Sequence, residues 1–367
     1  MVTVTVYDDV SLIPSFWFLG FQILSRAGKV RLRFRHGRNA PAAHEDRKWK
    51  STLFEVTSGG KTRVAVIDIF DRYDSLNPKV LEIVDQYFKF NFNQDYIEET
   101  NSAYRDKIFP TGFYFPVRYG RRILSYELMK RFLAGFHARE RVGLKARLDD
   151  AKYSLREYRV LVNKHSHLEY YTENLRDQKE DLHDLFWNVN YWSPKLNDGY
   201  GSIANCRQRV AIMQIIERLG MEHSAYKMSV GFFDNPDANR DYPQYVMRPT
   251  LPTREYLQVV ARSKLSIVSR GLFDCFSWRM GEHMAMGKFA LVERPLNQTY
   301  MPLSEGKDVV YFENDLSDLD HKLSYYLRHD EEREAIANRS KQYFDQYCRP
   351  EVQIKYMIDN LMPGVMQ

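Results

Sequence analysis

Cysteine is scarce. The 367 residues contain three, Cys206, Cys275 and Cys348, far apart and odd in number. No Cys-x-x-Cys pair exists, so neither a zinc site nor a disulfide framework is suggested, and a reducing, cytoplasmic setting is the simplest reading. Charge of one sign is also in short supply: the net charge is +5. A nucleic-acid binder would show a denser basic stripe, whereas a mild positive balance suits a pocket that receives a small anion. Long apolar runs are missing. The stretch 10–24 is too short to cross a bilayer, which takes about 20 residues. It is preceded by Asp8 and Asp9, where a secretory signal would carry positive charge. It reads as a buried helix after a first strand, not as an anchor; peripheral contact with a membrane stays open. There is no Gly-rich phosphate loop between that strand and that helix, so a dinucleotide fingerprint is absent where it would be expected. No internal repeat or low-complexity tract is present.

What is present is the composition of a globular protein, 44% hydrophobic and 28% charged, in a length that suits two domains of roughly 150–200 residues. Aromatics are abundant, with 25 Tyr and 22 Phe. Such rings fill cores and also stack on flat ligands, so their number decides nothing.

Residues 2–7 alternate β-branched side chains and read as a strand, followed by a helix to about residue 26 and a second strand at 30–34, a βαβ opening. Residues 63–70 (RVAVIDIF) look like a buried parallel strand. Pro78 opens a helix, and 87–92 gives another strand. The segment 137–185 is charged and helix-prone. A second α/β unit is expected from about residue 198, with a glycine-containing turn (NDGYGSIANCRQR) ahead of a helix. Strands follow at 226–233, 265–269, 289–292 and 309–312. Helices follow at 254–262 and 278–287, then a pair near 316–328 and 330–347. Residues 236–243, rich in Pro, Asn and Asp, read as a loop. The last helix, 350–362, follows.

The informative stretch is 263–313. A strand ends there in Ser269, Arg270 and Gly271. In an open parallel sheet the ligand crevice lies beyond the carboxyl ends of the strands, so Arg270 is placed to meet an anion and Gly271 permits close backbone approach. Asp274 and Ser277 follow, then a helix whose first-turn N–H groups can bind phosphate oxygens. Arg279 and Glu282, three apart, share a face of that helix. The cation can reach a phosphate, and the carboxylate can accept from both hydroxyls of a ribose.

This stretch resembles the donor-binding segment of GT-B glycosyltransferases, in two patterns. In one, Asp274 and Glu282 stand where an E-x7-E motif has its two acids, followed by MAMG at 284–287; Asp274 is one methylene short of the expected Glu. The other is exostosin-like: Arg270-Gly271 after a strand, then Ser277, Arg279 and Glu282 as S-x-R-x-x-E, then Pro302, Ser304 and Glu305 as P-x-S-E. The resemblance covers about residues 263–347.

It implies an α/β fold of two Rossmann-like domains, with parallel sheets facing a cleft. The expected boundaries are 1–180 for an acceptor-binding domain, 181–348 for a nucleotide-sugar domain and 349–367 for a helix that crosses back. It implies transfer of a sugar from a nucleoside diphosphate sugar to a glycan or other hydroxyl acceptor, with no metal or cofactor, in polysaccharide biosynthesis. Donor-binding residues are then Arg270, Gly271, Ser277, Arg279 and Glu282, with Gly201, Arg207 and Arg209 near the phosphates. If the reaction inverts, towards which the exostosin-like pattern leans, a base is needed, and Asp8, Asp9 and His36 are the candidates. If it retains, Asp274 would hold the sugar.

Plainer readings stand beside these. Arg279 and Glu282 also read as a surface ion pair, Asp274 as a turn cap, and Arg207 and Arg209 as surface charges. Asp8 and Asp9 also read as a strand-end turn, and His36 as a structural histidine. An epimerase or hydrolase on the same fold, or a non-catalytic nucleotide- or glycan-binding protein, would carry the same donor residues.

Overall fold

The computed structural model describes residues 1–8, 15–36, 51–118, 165–180, 182–193 and 201–366, with the single positions 152 and 156. Asp9, Pro14, Gly199 and most of the charged stretch 137–185 lie outside the described residues, as do the side chains of Asp8 and His36. The chain divides into two compact units. One comprises Met1–His167, Gln298–Tyr300 and Tyr347–Gln367; the other comprises Leu168–Asn297 and Met301–Gln346.

The first unit is built on a six-stranded sheet. Its strands are β1 (Val2–Asp8), β2 (Val30–His36), β3 (Ser51–Ser58), β4 (Lys61–Asp68), β5 (Gln86–Lys89) and β6 (Ile108–Pro110). The order is β2-β1-β3-β4-β5-β6. The βαβ opening is as read: α1 (Ser15–Arg26) links β1 to β2, which pair in parallel with Asp8 opposite His36. The reading of 63–70 as a parallel strand needs correction on one side. β4 is parallel to β5 but antiparallel to β3, which the sequence reading missed. The two are joined by Gly59–Gly60 at φ 56° and 76°, the left-handed pair that a two-residue hairpin requires.

Successive strand residues face opposite sides, and both sides are covered. Leu53 joins Val80 and Leu81 of α2 (Pro78–Ile83), while Phe54 meets Phe21 of α1 with ring centroids 5.3 Å apart. A further helix, α3 (Gln94–Thr100), completes the α2 side with Ile97.

The second unit has six strands, all paired in parallel. They are β7 (His183–Val189), β8 (Met228–Phe233), β9 (Val246–Met247), β10 (Ser263–Val268), β11 (Ala290–Glu293) and β12 (Val310–Phe312). Their order, β12-β11-β10-β7-β8-β9, is the 3-2-1-4-5-6 order of a doubly wound dinucleotide-type sheet. β7 precedes residue 198, so this sheet begins earlier in the chain than the sequence reading placed it. The helices are α4 (Ser202–Glu222), α5 (Pro236–Asp241), α6 (Thr253–Ala261), α7 (Trp278–Met286), α8 (Leu319–Tyr326) and α9 (Asp330–Tyr343). The expected loop at 236–243 is in fact α5. Asn235 Oδ1 accepts from the Ala238 N–H at 2.9 Å and Pro236 occupies the first turn, which together start a helix. Leu185, Trp187, Leu265, Ile267 and Leu291 form the buried middle of the sheet.

The last helix, α10 (Pro350–Leu361), belongs to the first unit and packs on α1. Gly20 makes the close approach: a Cβ there would lie 2.3 Å from the Pro350 carbonyl oxygen. Gln353, fully buried, accepts from Trp17 Nε1 and Gly112 N and donates to the Phe113 and Cys348 carbonyls. Among the described residues no helix is long and apolar enough to cross a membrane. All three cysteines are buried free thiols.

Candidate functional site

In the second sheet the strand order reverses between β7 and β10, and ligand crevices lie beyond the carboxyl ends of strands at such a point. The segment after β10, Ser269 to Ser277, therefore sits where the sequence expects chemistry. Its backbone is unusual. Gly271 N–H donates to the Cys275 carbonyl at 2.9 Å, closing a tight loop whose tip holds Phe273 and Asp274, both at φ 56°. Two consecutive left-handed non-glycine residues store conformational strain, of order 1–3 kcal/mol each, and persist only where the surroundings over-determine them. Here Asn205 Nδ2 donates to the Arg270 and Gly271 carbonyls at 3.0 and 3.2 Å, and Asn297 Nδ2 donates to the Asp274 carbonyl at 3.1 Å. Gly201, at φ 63° ahead of α4, approaches the same loop: a Cβ on it would lie 3.8 Å from Phe273 N.

Arg270 is mostly buried and doubly engaged. Its backbone N–H donates to Glu293 Oε2 at 2.8 Å, its Nε donates to Glu293 Oε1, and its Nη1 lies 2.9 Å from Asp274 Oδ1. Glu293, 1% exposed at the end of β11, also accepts from Gln208 Nε2 at 2.7 Å. Sequence reasoning missed Glu293. The signal was a carboxylate closing an apolar run (ALVE) at the carboxyl end of a parallel strand. Asp274 does not act as a plain turn cap; its carboxylate pairs with Arg270.

Arg279 and Glu282 share one face of α7, and the reading of a surface pair does not hold, because Glu282 is only 7% exposed. Arg279 Nη1 donates to the Asn188 carbonyl at the end of β7, and its guanidinium carbon lies 5.0 Å from the Tyr256 ring centroid and 5.6 Å from that of Phe233. Burial pushes the Glu282 carboxyl up to about 7, with the Arg279 charge opposing. No group among the described residues donates a hydrogen bond to it. His283, on the next position, is fixed by the Arg279 carbonyl 2.8 Å from its Nδ1, and burial pulls it down to about 4. It is a neutral packing residue. Ser277 occupies the position before α7; its hydroxyl makes no capping bond, while its carbonyl accepts from the Met280 N–H at 3.0 Å.

The remaining candidates divide. Arg207 is exposed on α4. Arg209, named near the phosphates, is 3% exposed, so the alternative reading of a surface charge does not hold for it. Ser304 and Glu305 of the P-x-S-E piece form a turn: Ser304 N–H donates to Asp308 at 2.9 Å, and Glu305 receives Arg294 at 3.0 Å. The chain also holds one Asp-x-Asp triplet, Asp318-Leu319-Asp320, at the start of α8. Asp318 accepts from Glu313 N–H at 2.9 Å and pairs with Lys322 at 2.6 Å, and Asp320 pairs with Arg218 at 3.0 Å, so both acids serve structure. In the first unit, the strand register puts Asp8 and His36 side by side at the carboxyl ends of β1 and β2.

Residues 216–359 match a protein family described as "Glycosyl transferase-like". That segment takes in α7, β10 to β12 and the helix pair. The chain holds two α/β units, each with its own six-stranded sheet. Parallel pairing is complete in the second sheet and is interrupted in the first by β3 alone. Solved structures similar to the chain include TarM, with 9% identity and a TM-score of 0.32 over 84% of this chain and 63% of that one. HepE from Anabaena, solved with UDP, shows 11% identity and a TM-score of 0.30 over 76% of this chain and 93% of that one. The GtfA/B complex shows 9% identity and a TM-score of 0.32 over 86% and 65%. The chain thus spans somewhat under two thirds of TarM and of the matched GtfA/B chain. Among curated proteins none matches it by sequence.

Proposed function

We propose that the protein is a glycosyltransferase that moves a sugar from a nucleoside diphosphate sugar to a hydroxyl of a glycan, with the donor held by the second unit. One observation carries the reading. Glu282, inside the family-matched segment on α7, is a buried carboxylate with no hydrogen-bond donor of its own among the described residues. Such a group is costly to keep unless a ligand completes it. A ribose, with two adjacent hydroxyls, supplies two donors to one carboxylate.

On this reading the diphosphate lies between the strained loop after β10 and the start of α7. Arg279, Arg270 and the first-turn N–H groups offset the charge that develops as the sugar–phosphate bond breaks. These groups take the role that a metal holds elsewhere. The acceptor oxygen attacks the anomeric carbon, the nucleoside diphosphate leaves with the bonding electrons, and the acceptor proton passes to a carboxylate or imidazole. Asp8, Asp9 and His36 are the proposed bases, on the strength of the Asp8–His36 register pairing. The ordered Arg-Gly, S-x-R-x-x-E and P-x-S-E pieces match more positions than E-x7-E does, which favours inversion.

Incubating the protein with UDP-, GDP-, ADP- and CMP-sugars, with and without a mixture of glycan acceptors, tests this. Acceptor-dependent release of one nucleotide is expected. Equal release without acceptor would instead support a hydrolase or epimerase. The anomeric configuration of the product, read by NMR, decides inversion. A fall in kcat of about 10²–10⁴ in Asp8→Asn, Asp9→Asn or His36→Gln, with donor affinity kept, identifies the base.

A further inference from the structure

We propose that Arg209 is a positioning residue of the donor site. Its buried guanidinium ties the segments after β7 and β10 together and holds there a positive charge that the donor's diphosphate neutralises. This rests on the nucleotide-sugar reading above.

Arg209 reaches up from α4 to the point where the strand order reverses. Its Nη1 donates to the Asn190 carbonyl at 2.6 Å, just beyond β7, and its Nη2 donates to the Arg270 carbonyl at 3.0 Å, just beyond β10. One planar fork therefore spans the two loops that flank the crevice. Its guanidinium carbon lies 4.3 Å from the Trp192 ring centroid, which steadies the plane. Asn205, one helical turn earlier on α4, shares the Arg270 carbonyl.

The charge is the second half of the argument. Buried arginines are ordinarily paired with acids, because taking a cation out of water costs several kcal/mol. Arg270 follows that rule through Glu293. Arg209 does not: no carboxylate pairs with it among the described residues, and its Nε has no acceptor. Glu293 acts on it only through space, and burial together with the nearby Arg279 charge pulls it down to about 9. Two guanidiniums, Arg209 and Arg279, thus stand on the carbonyls of Asn190 and Asn188, two residues apart at one strand end. Their repulsion is relieved by an anion between them and Arg270. A field set in a low-dielectric frame needs no direct contact to act on a phosphate.

The test compares wild type, Arg209→Met and Arg209→Lys. Melting is followed without ligand, nucleoside diphosphate binding by calorimetry at two salt concentrations, and steady-state kinetics with the donor sugar. Arg209→Met is expected to keep or raise the melting temperature, to lose at least tenfold in affinity, and to show a weaker salt dependence. Arg209→Lys keeps the charge but reaches one carbonyl only. It should recover salt dependence while kcat stays reduced. A Met variant that melts lower yet binds nucleotide like wild type would make Arg209 a structural staple and overturn the proposal. If the Met variant does not fold, wild-type kcat and KM in Arg209→Lys would overturn it. Failure of the wild type to bind any nucleoside diphosphate would instead sink the donor reading, and the proposal with it.

Discussion

The backbone N–H of Arg270 donates to the carboxylate of Glu293 at 2.8 Å, from the end of one parallel strand to the end of the next. The same carboxylate receives the Arg270 side chain. The residue proposed to face the donor's phosphates is therefore set in place by an acid with no solvent access. Replacing Glu293 with Ala leaves the Arg270 backbone N–H and Nε without their acceptor, with Asp274 still facing Nη1, and should cost about 1–3 kcal/mol of folding stability. Glu293→Gln keeps one acceptor oxygen and should cost less while still weakening donor binding. Urea unfolding of the two variants, with nucleotide titration of the Gln form, checks the order.

Glu282 gives a pH signature. Its pKa rises from an ordinary 4.5 to about 7 on folding. The folded state therefore holds a proton that the unfolded state has lost between those values. Stability contributed by this group is fully present below pH 4.5, falls as pH rises through that window, and is level above 7. Ribose binding needs the ionised form, so nucleotide affinity should fall as pH drops below about 7, approaching tenfold per pH unit. Glu282→Gln should abolish that slope, weaken binding, and raise the melting temperature at pH 8. A Gln variant with the wild-type affinity profile would contradict the ribose role.

Gly271 is required by space, not by dihedral angle. A Cβ there would meet Cys275 Sγ at 2.3 Å, with the next atoms at ordinary distances. Gly271→Ala should distort the loop that carries Phe273 and Asp274 and lower donor affinity, with little loss of global stability. Adding Cys275→Ala removes the clashing sulfur and should restore much of the affinity. A double mutant no better than the single would place the defect elsewhere.

The first unit has a comparable contact in Gly20 against Pro350. Gly20→Ala forces α1 and α10 apart, and overpacking of this kind costs about 1–3 kcal/mol. Gln353→Leu should be worse, because it strands four hydrogen-bonding groups, from Trp17, Gly112, Phe113 and Cys348. Thermal melting of both variants gives the comparison.

The sequence made the periodic features legible. The alternating residues of β1, the apolar runs of β4 and β10, and the helix pair near the C-terminus follow from side-chain period alone. β3 was missed although its signal was present: Gly59-Gly60 between two β-rich runs is a hairpin turn. The start of α5 was hidden because Asn-Pro-Asp serves loops and helix N-termini alike. In the candidate site, Arg270, Arg279 and Glu282 were legible because they lie within thirteen residues of one another on a strand end and a helix start. Glu293 was not, and Arg209 was named near the phosphates without its burial or the two carbonyls it bridges. Their importance comes from the register between β10 and β11 and from the direction in which α4 turns its side chains, which are tertiary facts.

The central claim is that Glu282 receives a nucleotide's ribose in the second unit. Calorimetric titration of wild type and Glu282→Ala with UDP, GDP, ADP and CMP at pH 8 tests it most directly. Wild type should bind at least one nucleotide, and the variant should bind the same one weaker by about 1.5–3 kcal/mol, the worth of charge-assisted hydrogen bonds, while its melting temperature holds or rises. Equal affinity in a folded Glu282→Ala protein, or no binding by the wild type, would contradict the account.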